Sequence, residues 1–270
     1  MISVSSFPVI HHTSPVVLVH GWRSGPWIFK RLIKRLHSAG IETWIFDYSR
    51  ESHKNPVELA PTLSQYIQNM REETGYEGSI DLISHSMGAM LSRYYCEVSN
   101  RSEGEHRIGK WIGIAPVNHG APVADIFVRA REEQYTYCCQ YPVLPPDIKE
   151  CMQDGAIVGN MPNGPHVLEL RKAGLCSQVQ YYVIAGHNPT QEYRFWPTFA
   201  GQTIATVQGR YVLTYNGDGM VPNEHSFLEG HPFILLSANQ KGDLPPELFN
   251  HNGLVRCPAV FDEILNILIS

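Results

Sequence analysis

Short runs rich in Val, Ile and aromatic residues alternate along this chain with longer stretches whose apolar residues recur at helical spacing, and no other feature narrows its fold as much. Five such runs are Val16–His20, Glu42–Asp47, Ile80–Ser84, Trp111–Ala115 and Val179–Ala185, with Pro232–Ser237 as a sixth. The helical patterns cover Pro26–Ser38, Pro56–Glu72, Met87–Val98 and Pro258–Ile269, and Gly40 and Gly75 stand where helices should stop. Strands joined through helices return in the same direction, so the expectation is an α/β chain with a mostly parallel central sheet flanked by helices. At 270 residues, with 43% hydrophobic and 17% charged positions, the chain can fill one large core, and a single domain over 1–270 is expected. The rhythm breaks from about Ala121 to Gly174, where the cluster Tyr135–Tyr141 is followed by Pro142, Pro145 and Pro146. Long irregular segments with this aromatic content are functional more often than disordered, so 121–174 is expected to be an inserted cap or lid. A second irregular stretch, Asn188–Gly209, is placed near the same site.

The sequence Ser84, His85, Ser86, Met87, Gly88 links the apolar run Ile80–Ile83 to a helical pattern. A serine on such a tight strand-to-helix turn presents its hydroxyl at the carboxyl end of the sheet, while the following helix aims its first N–H groups at any negative charge that develops there. By itself an SxSxG run carries little information, and a purely structural turn would read the same. Three further stretches add weight. The run Val16–Val19 ends in His20, Gly21, Trp22, whose loop offers the backbone N–H of Trp22 as an oxyanion donor beside that of Met87. Asn216 to Pro222 forms a glycine-rich turn around Asp218, and His251 lies just ahead of the terminal helix. Ser86 as nucleophile, Asp218 as orienting acid and His251 as base is the assignment these positions suggest. His225 and His231 compete for the base and Asp81 and Asp243 for the acid, less convincingly. His20 and His85 read as structural neighbours of the site. Among Trp22, Trp27, Tyr135, Tyr137, Phe195 and Trp196, Trp22 alone is expected to line a substrate pocket.

The stretches VVLVHGW, IDLISHSMGAMLSRYY, IGIAPVNHGAPVAD and NGDGMVP, with FNHNGL as a looser match, resemble bacterial lipases and related esterases of the α/β-hydrolase superfamily. The resemblance implies the α/β-hydrolase fold and a serine hydrolase that cleaves lipid-like or small acyl esters through an acyl-enzyme. Ser84 stands where the usual pattern has Gly. The same motifs are shared by acyltransferases and thioesterases, and a binding protein on a hydrolase scaffold is the reading from a different class. Some of the lipases it resembles carry a structural calcium held by two aspartates, one near the catalytic His, but Leu248, Phe249 and Asn250 precede His251 here without an Asp, so no metal is expected, and no cofactor.

A net charge of −5, with its basic residues scattered, excludes a broad phosphate-backbone-binding face, and nucleic acid is not expected as a partner. The one basic run, Lys30, Arg31, Lys34, Arg35, reads as the solvated face of an amphipathic helix. The N-terminus lacks a basic start and an apolar core of signal-peptide length, and nowhere do about 18 apolar residues follow one another. These features point to a cytoplasmic chain without a transmembrane segment, although a mature secreted form would read alike; transient contact with a lipid interface fits the lipase resemblance. Six cysteines without CxxC spacing suggest free thiols, with a local bridge among Cys138, Cys139 and Cys151 as the minor alternative.

Overall fold

The structure, a computed structural model, describes residues 14–101, 107–132, 155–240 and 244–270, with side chains omitted at 129–132. Six parallel strands form the central sheet in the order β2-β1-β3-β4-β5-β8: β1 Val16–Val19, β2 Thr43–Phe46, β3 Ile80–His85, β4 Ile108–Ile114, β5 Gln180–Gly186 and β8 Phe233–Leu236. Because successive side chains on a strand point to opposite faces, each strand feeds two cores. Val17, Val19 and Leu82 join Trp44 and Phe46 against α2 (Pro56–Thr74), α3 (Met87–Tyr94) and α4 (Pro122–Glu132). Val16, Leu18, Ile83, Ile112 and Ile184 meet Leu32 and Leu36 of α1 (Lys30–Ser38) and Ile264 and Leu268 of the terminal helix Pro258–Ile269. Residues buried on both faces explain why these strands read as continuous apolar runs.

Local chemistry sets the helix ends. Asn55 caps α2 through a reciprocal pair with Glu58, N–H to Oδ1 and N–H to Oε2 both at 3.0 Å, and Gly75 closes it at φ +68°. Lys30, Arg31 and Lys34 are exposed on α1, as a solvated face requires, and Arg35 reaches Asp262 at 3.1 Å.

Three details differ from the sequence reading. Strand β4 begins at Ile108, three residues early, because the Asp81 carboxylate accepts the Lys110 N–H at 2.7 Å where the β3–β4 ladder shifts register. The helical pattern Met87–Val98 divides into α3 and a π-helical turn, Tyr95–Ser99. There the buried Arg93 grips Glu97 through Nε–Oε1 at 2.8 Å and Nη2–Oε2 at 2.9 Å. Within Asn188–Gly209, residues Thr203–Val207 (β6) are not irregular but pair antiparallel with Arg210–Thr214 (β7). This hairpin turns at Gln208 and Gly209, both at positive φ; with Val207, Val212 and Leu213 exposed, it lacks the alternation that marks a half-buried strand. The cluster Tyr135–Tyr141, the three prolines after it, Cys138, Cys139, Cys151 and Asp243 lie outside the described residues. Cys96 and Cys176 are buried free thiols, and Cys257 is buried as well.

Candidate active site

Ser86 joins β3 to α3 at φ +56° and ψ −126°, a left-handed backbone that a serine adopts only when its surroundings enforce it. The Ser86 N–H donates to Ile114 O of the neighbouring strand at 3.1 Å, which fixes the turn to the sheet. The loop after β1 presses against this turn. A Cβ on Gly88 would stand 2.2 Å from His20 O and 2.5 Å from Val19 O, so only glycine allows that approach. Ser84, in the place where the usual pattern has Gly, uses its hydroxyl. Its Oγ lies 2.8 Å from Ser92 Oγ, which also accepts from the Trp111 indole at 2.7 Å and donates to Ala89 O at 3.1 Å. Three buried polar groups are thereby satisfied together beneath the turn.

The three side chains singled out in the sequence meet in one hydrogen-bonded line. His251 Nε2 is 2.9 Å from Ser86 Oγ, and His251 Nδ1 is 2.8 Å from Asp218 Oδ2. The other carboxylate oxygen of Asp218 accepts the N–H groups of Met220 at 2.9 Å and Val221 at 2.7 Å. A carboxylate so held can accept only from Nδ1, which leaves the Nε2 lone pair for the serine proton. The His251 N–H also donates to Asp218 O at 2.8 Å, tying the two loops together through the backbone.

His85 does more than pack. Its Nε2–H donates to the His251 carbonyl at 2.9 Å, and complete burial, with His251 nearby, holds its pKa down to about 3, so the ring stays neutral beside His251. The sequence placed His85 beside the elbow but held no signal for this contact, whose partner lies 166 residues away.

His20 organises the loop that carries Trp22. Its Nδ1–H donates to Gly21 O at 2.9 Å, while Nε2 accepts the Tyr48 N–H at 3.2 Å, and the ring stacks on Tyr48 with centroids 4.0 Å apart. Burial lowers its pKa and keeps this neutral tautomer. In a trans peptide C=O and N–H point in opposite directions, so holding Gly21 O turns the Trp22 N–H the other way. The Met87 N–H, first in α3, has no partner within its helix.

Two cavities meet at Ser86 and His251. One, of about 60 Å³, is almost wholly apolar and is walled by Val117, Val123, Phe127, Ile157 and Met220. Val123 and Phe127 on α4 and Ile157 on α5 (Gly155–Gly159) belong to the 121–174 stretch. The other, of about 680 Å³, is bordered by Trp22, Trp27 and Trp196, so the aromatic lining is wider than Trp22 alone. Phe195 instead sits in the core. The competing residues lie elsewhere: His225 Nδ1 bonds Gly120 O at 2.9 Å, His231 packs edge-on against Tyr181, and Asp81 serves the sheet. Among the described residues, no group of three or more His, Cys, Asp or Glu is arranged to hold a metal, and no helix is long and apolar enough to cross a membrane.

A parallel sheet carrying a strained serine elbow, with a histidine and an aspartate on the loops after later strands, defines the α/β-hydrolase class of proteins. The chain matches the model of the alpha/beta hydrolase family over residues 16–238 and belongs to that family. Among solved structures, a mature lipase of Bacillus licheniformis aligns with a TM-score of 0.66 at 13% identity, covering 96% of this chain and 93% of the lipase. A metagenomic carboxyl esterase gives 0.62 at 16% identity over 96% of this chain and 76% of its own. Phospholipase PlaB from Legionella pneumophila gives 0.61 at 14% identity over 95% of this chain and 63% of its own. At such identities the likeness is one of fold. No curated protein sequence matches the chain.

Proposed function

We propose that this chain is a serine hydrolase of carboxylic esters that works through an acyl-enzyme. The observation that carries this reading is the unbroken line Asp218–His251–Ser86 on a strained turn. Ser86 Oγ attacks the ester carbonyl carbon as its proton passes to His251 Nε2, and the carbonyl π pair becomes an oxyanion facing the N–H groups of Trp22 and Met87. The oxyanion collapses, the C–O bond to the alcohol breaks, and the His251 proton goes to the departing alkoxide. Water, deprotonated by the same imidazole, then frees the acid and restores Ser86. Asp218 steadies the imidazolium in both halves. The apolar cavity beside Ser86 suits the acyl chain, and the helices of 121–174 that wall it act as a cap over the site.

Hydrolysis of p-nitrophenyl esters of increasing acyl length, together with fluorophosphonate labelling, tests this. Wild type should hydrolyse and label, and Ser86→Ala should lose both with its melting temperature retained. Labelling that persists in the variant would refute the nucleophile, and a wild type that binds esters without turnover would leave a binding protein. Competing alcohols and thioesters in the same assay separate hydrolysis from acyl transfer and thioesterase action.

A further inference from the structure

The two cavities that meet at the proposed nucleophile differ more than tenfold in volume, about 60 Å³ against about 680 Å³. The small one is enclosed by core: Val117, Val123, Phe127, Ile157 and Val221 on its wall are all buried. A cavity of about 150 Å³ holds one benzene, about 25 Å³ per carbon, so about 60 Å³ takes about two or three carbons. The larger volume lies in the range of sites that enclose a whole drug-sized molecule. Most of its wall is apolar, from Trp22, Trp27, Ile28, Trp196, Met220 and Val255, while its two arginines, Arg23 and Arg256, are exposed to solvent. Trp27 is 65% exposed, a large apolar ring standing in water at the border of the cavity. Glycine sets the position of two of these indoles. A Cβ on Gly25 would stand 2.0 Å from the Trp27 ring, and one on Gly219 would stand 2.5 Å from the Trp196 ring, so both lie against backbone that a larger residue would keep them from.

The chemistry of the leaving group orients an ester between the two spaces. His251 Nε2 must reach the departing oxygen to protonate it, so the alcohol half lies toward the histidine loop. That loop, through Asn252, Val255 and Arg256, walls the larger cavity and not the small one. From this placement and the difference in volume, we propose that the site selects esters joining a short acyl group, acetyl to butyryl, to a bulky apolar alcohol held among Trp22, Trp27 and Trp196. The inference rests on the ester-hydrolase reading and names its substrate class. A longer acyl chain must displace Phe127 or Ile157 from packed core, whereas a methyl or ethyl alcohol leaves the aromatic walls of the larger cavity to water. An aromatic alcohol placed there removes apolar surface from water on both partners, and this gain belongs to binding, hence to KM.

The test crosses acyl length with alcohol size: kcat/KM for the butyrate and octanoate esters of ethanol and of 2-(2-naphthyl)ethanol, each below its solubility limit. Both are primary alcohols of similar acidity, so leaving-group ability does not separate them. Naphthylethyl butyrate should exceed ethyl butyrate by at least about tenfold through KM, and should exceed naphthylethyl octanoate by at least about tenfold. Trp27→Ala, at an exposed position, should lower naphthylethyl butyrate several-fold more than ethyl butyrate. Phe127→Ala and Ile157→Ala should raise octanoate several-fold relative to butyrate, a gain that loss of stability does not produce. Octanoates hydrolysed as well as butyrates, or equal kcat/KM for naphthylethyl and ethyl butyrate, would overturn the inference while leaving the hydrolase reading intact. Ethyl octanoate as the best of the four would overturn it too, by putting the acyl chain in the larger cavity. Should a variant fail to fold, the wild-type ratios decide. A wild type that hydrolyses none of these esters, nor any p-nitrophenyl ester, would remove the hydrolase reading and the inference together.

Discussion

Replacing Ser92 by Ala tests the buried hydroxyl cluster beneath the nucleophile turn. Ser92 Oγ is the shared partner of Ser84 Oγ at 2.8 Å and of Trp111 Nε1 at 2.7 Å, and all three side chains are fully buried. Since Ser92 donates to Ala89 O, Ser84 must be the donor in their pair, and the substitution strands two donors, the Ser84 O–H and the Trp111 N–H. Each buried unsatisfied donor costs about 1–3 kcal/mol, so Ser92→Ala should destabilise by about 2–6 kcal/mol. Ser84→Ala removes one donor and leaves Ser92 still satisfied by Trp111, a loss of about 1 kcal/mol. In the double variant only the indole is stranded, so its cost should fall short of the sum of the singles by one stranded donor, about 1–3 kcal/mol. Urea unfolding of the four proteins, compared at constant m, measures this cycle. Additivity to within about 0.3 kcal/mol, or a Ser92→Ala cost below about 0.5 kcal/mol, would show that the hydroxyls do not form the bonds described.

Asp218→Asn should lower kcat about 10⁴-fold with little change in melting temperature: the amide oxygen keeps the bonds from Met220 and Val221, so the NH₂ group faces His251 and forces the proton onto Nε2. A mainly thermal defect would contradict that role. Gly88→Ala should cost at least about 10²-fold in kcat, because its Cβ would meet His20 O at 2.2 Å and must push the elbow or the oxyanion loop aside; unchanged turnover would deny the close approach. Acidification should destabilise the fold, because the buried His85 ring holds a pKa of about 3 against an ordinary 6.5, so between those values the unfolded chain binds more protons. At pH 5 this amounts to about 2 kcal/mol, or about 4–8 °C in Tm; thermal melts from pH 7 to pH 5 that show no fall in wild type, or the same fall in His85→Gln, would refute it.

The alternation of strand and helix patterns was sufficient for the parallel sheet, because strands buried on both faces announce themselves by composition and the helices by period. Ser86 was readable because an elbow is a local object, a strand, a tight turn and a helix within ten residues. Asp218 and His251 were readable as positions, since each lies in a short loop of distinctive composition, but their rivals Asp81, His225 and His231 differ from them only in where the chain carries them. The hairpin Thr203–Thr214 went unread because its exposed apolar residues break the alternation that burial would impose. Tertiary structure alone decided the rest: His85 bonding the backbone of His251, His20 turning the Gly21–Trp22 peptide, Ser84 finding Ser92, and the placement of Arg23 and Arg256 around one cavity. Each depends on the distance between side chains on separate strands and loops, and that distance is set by how the sheet stacks its elements, which no local run of residues encodes.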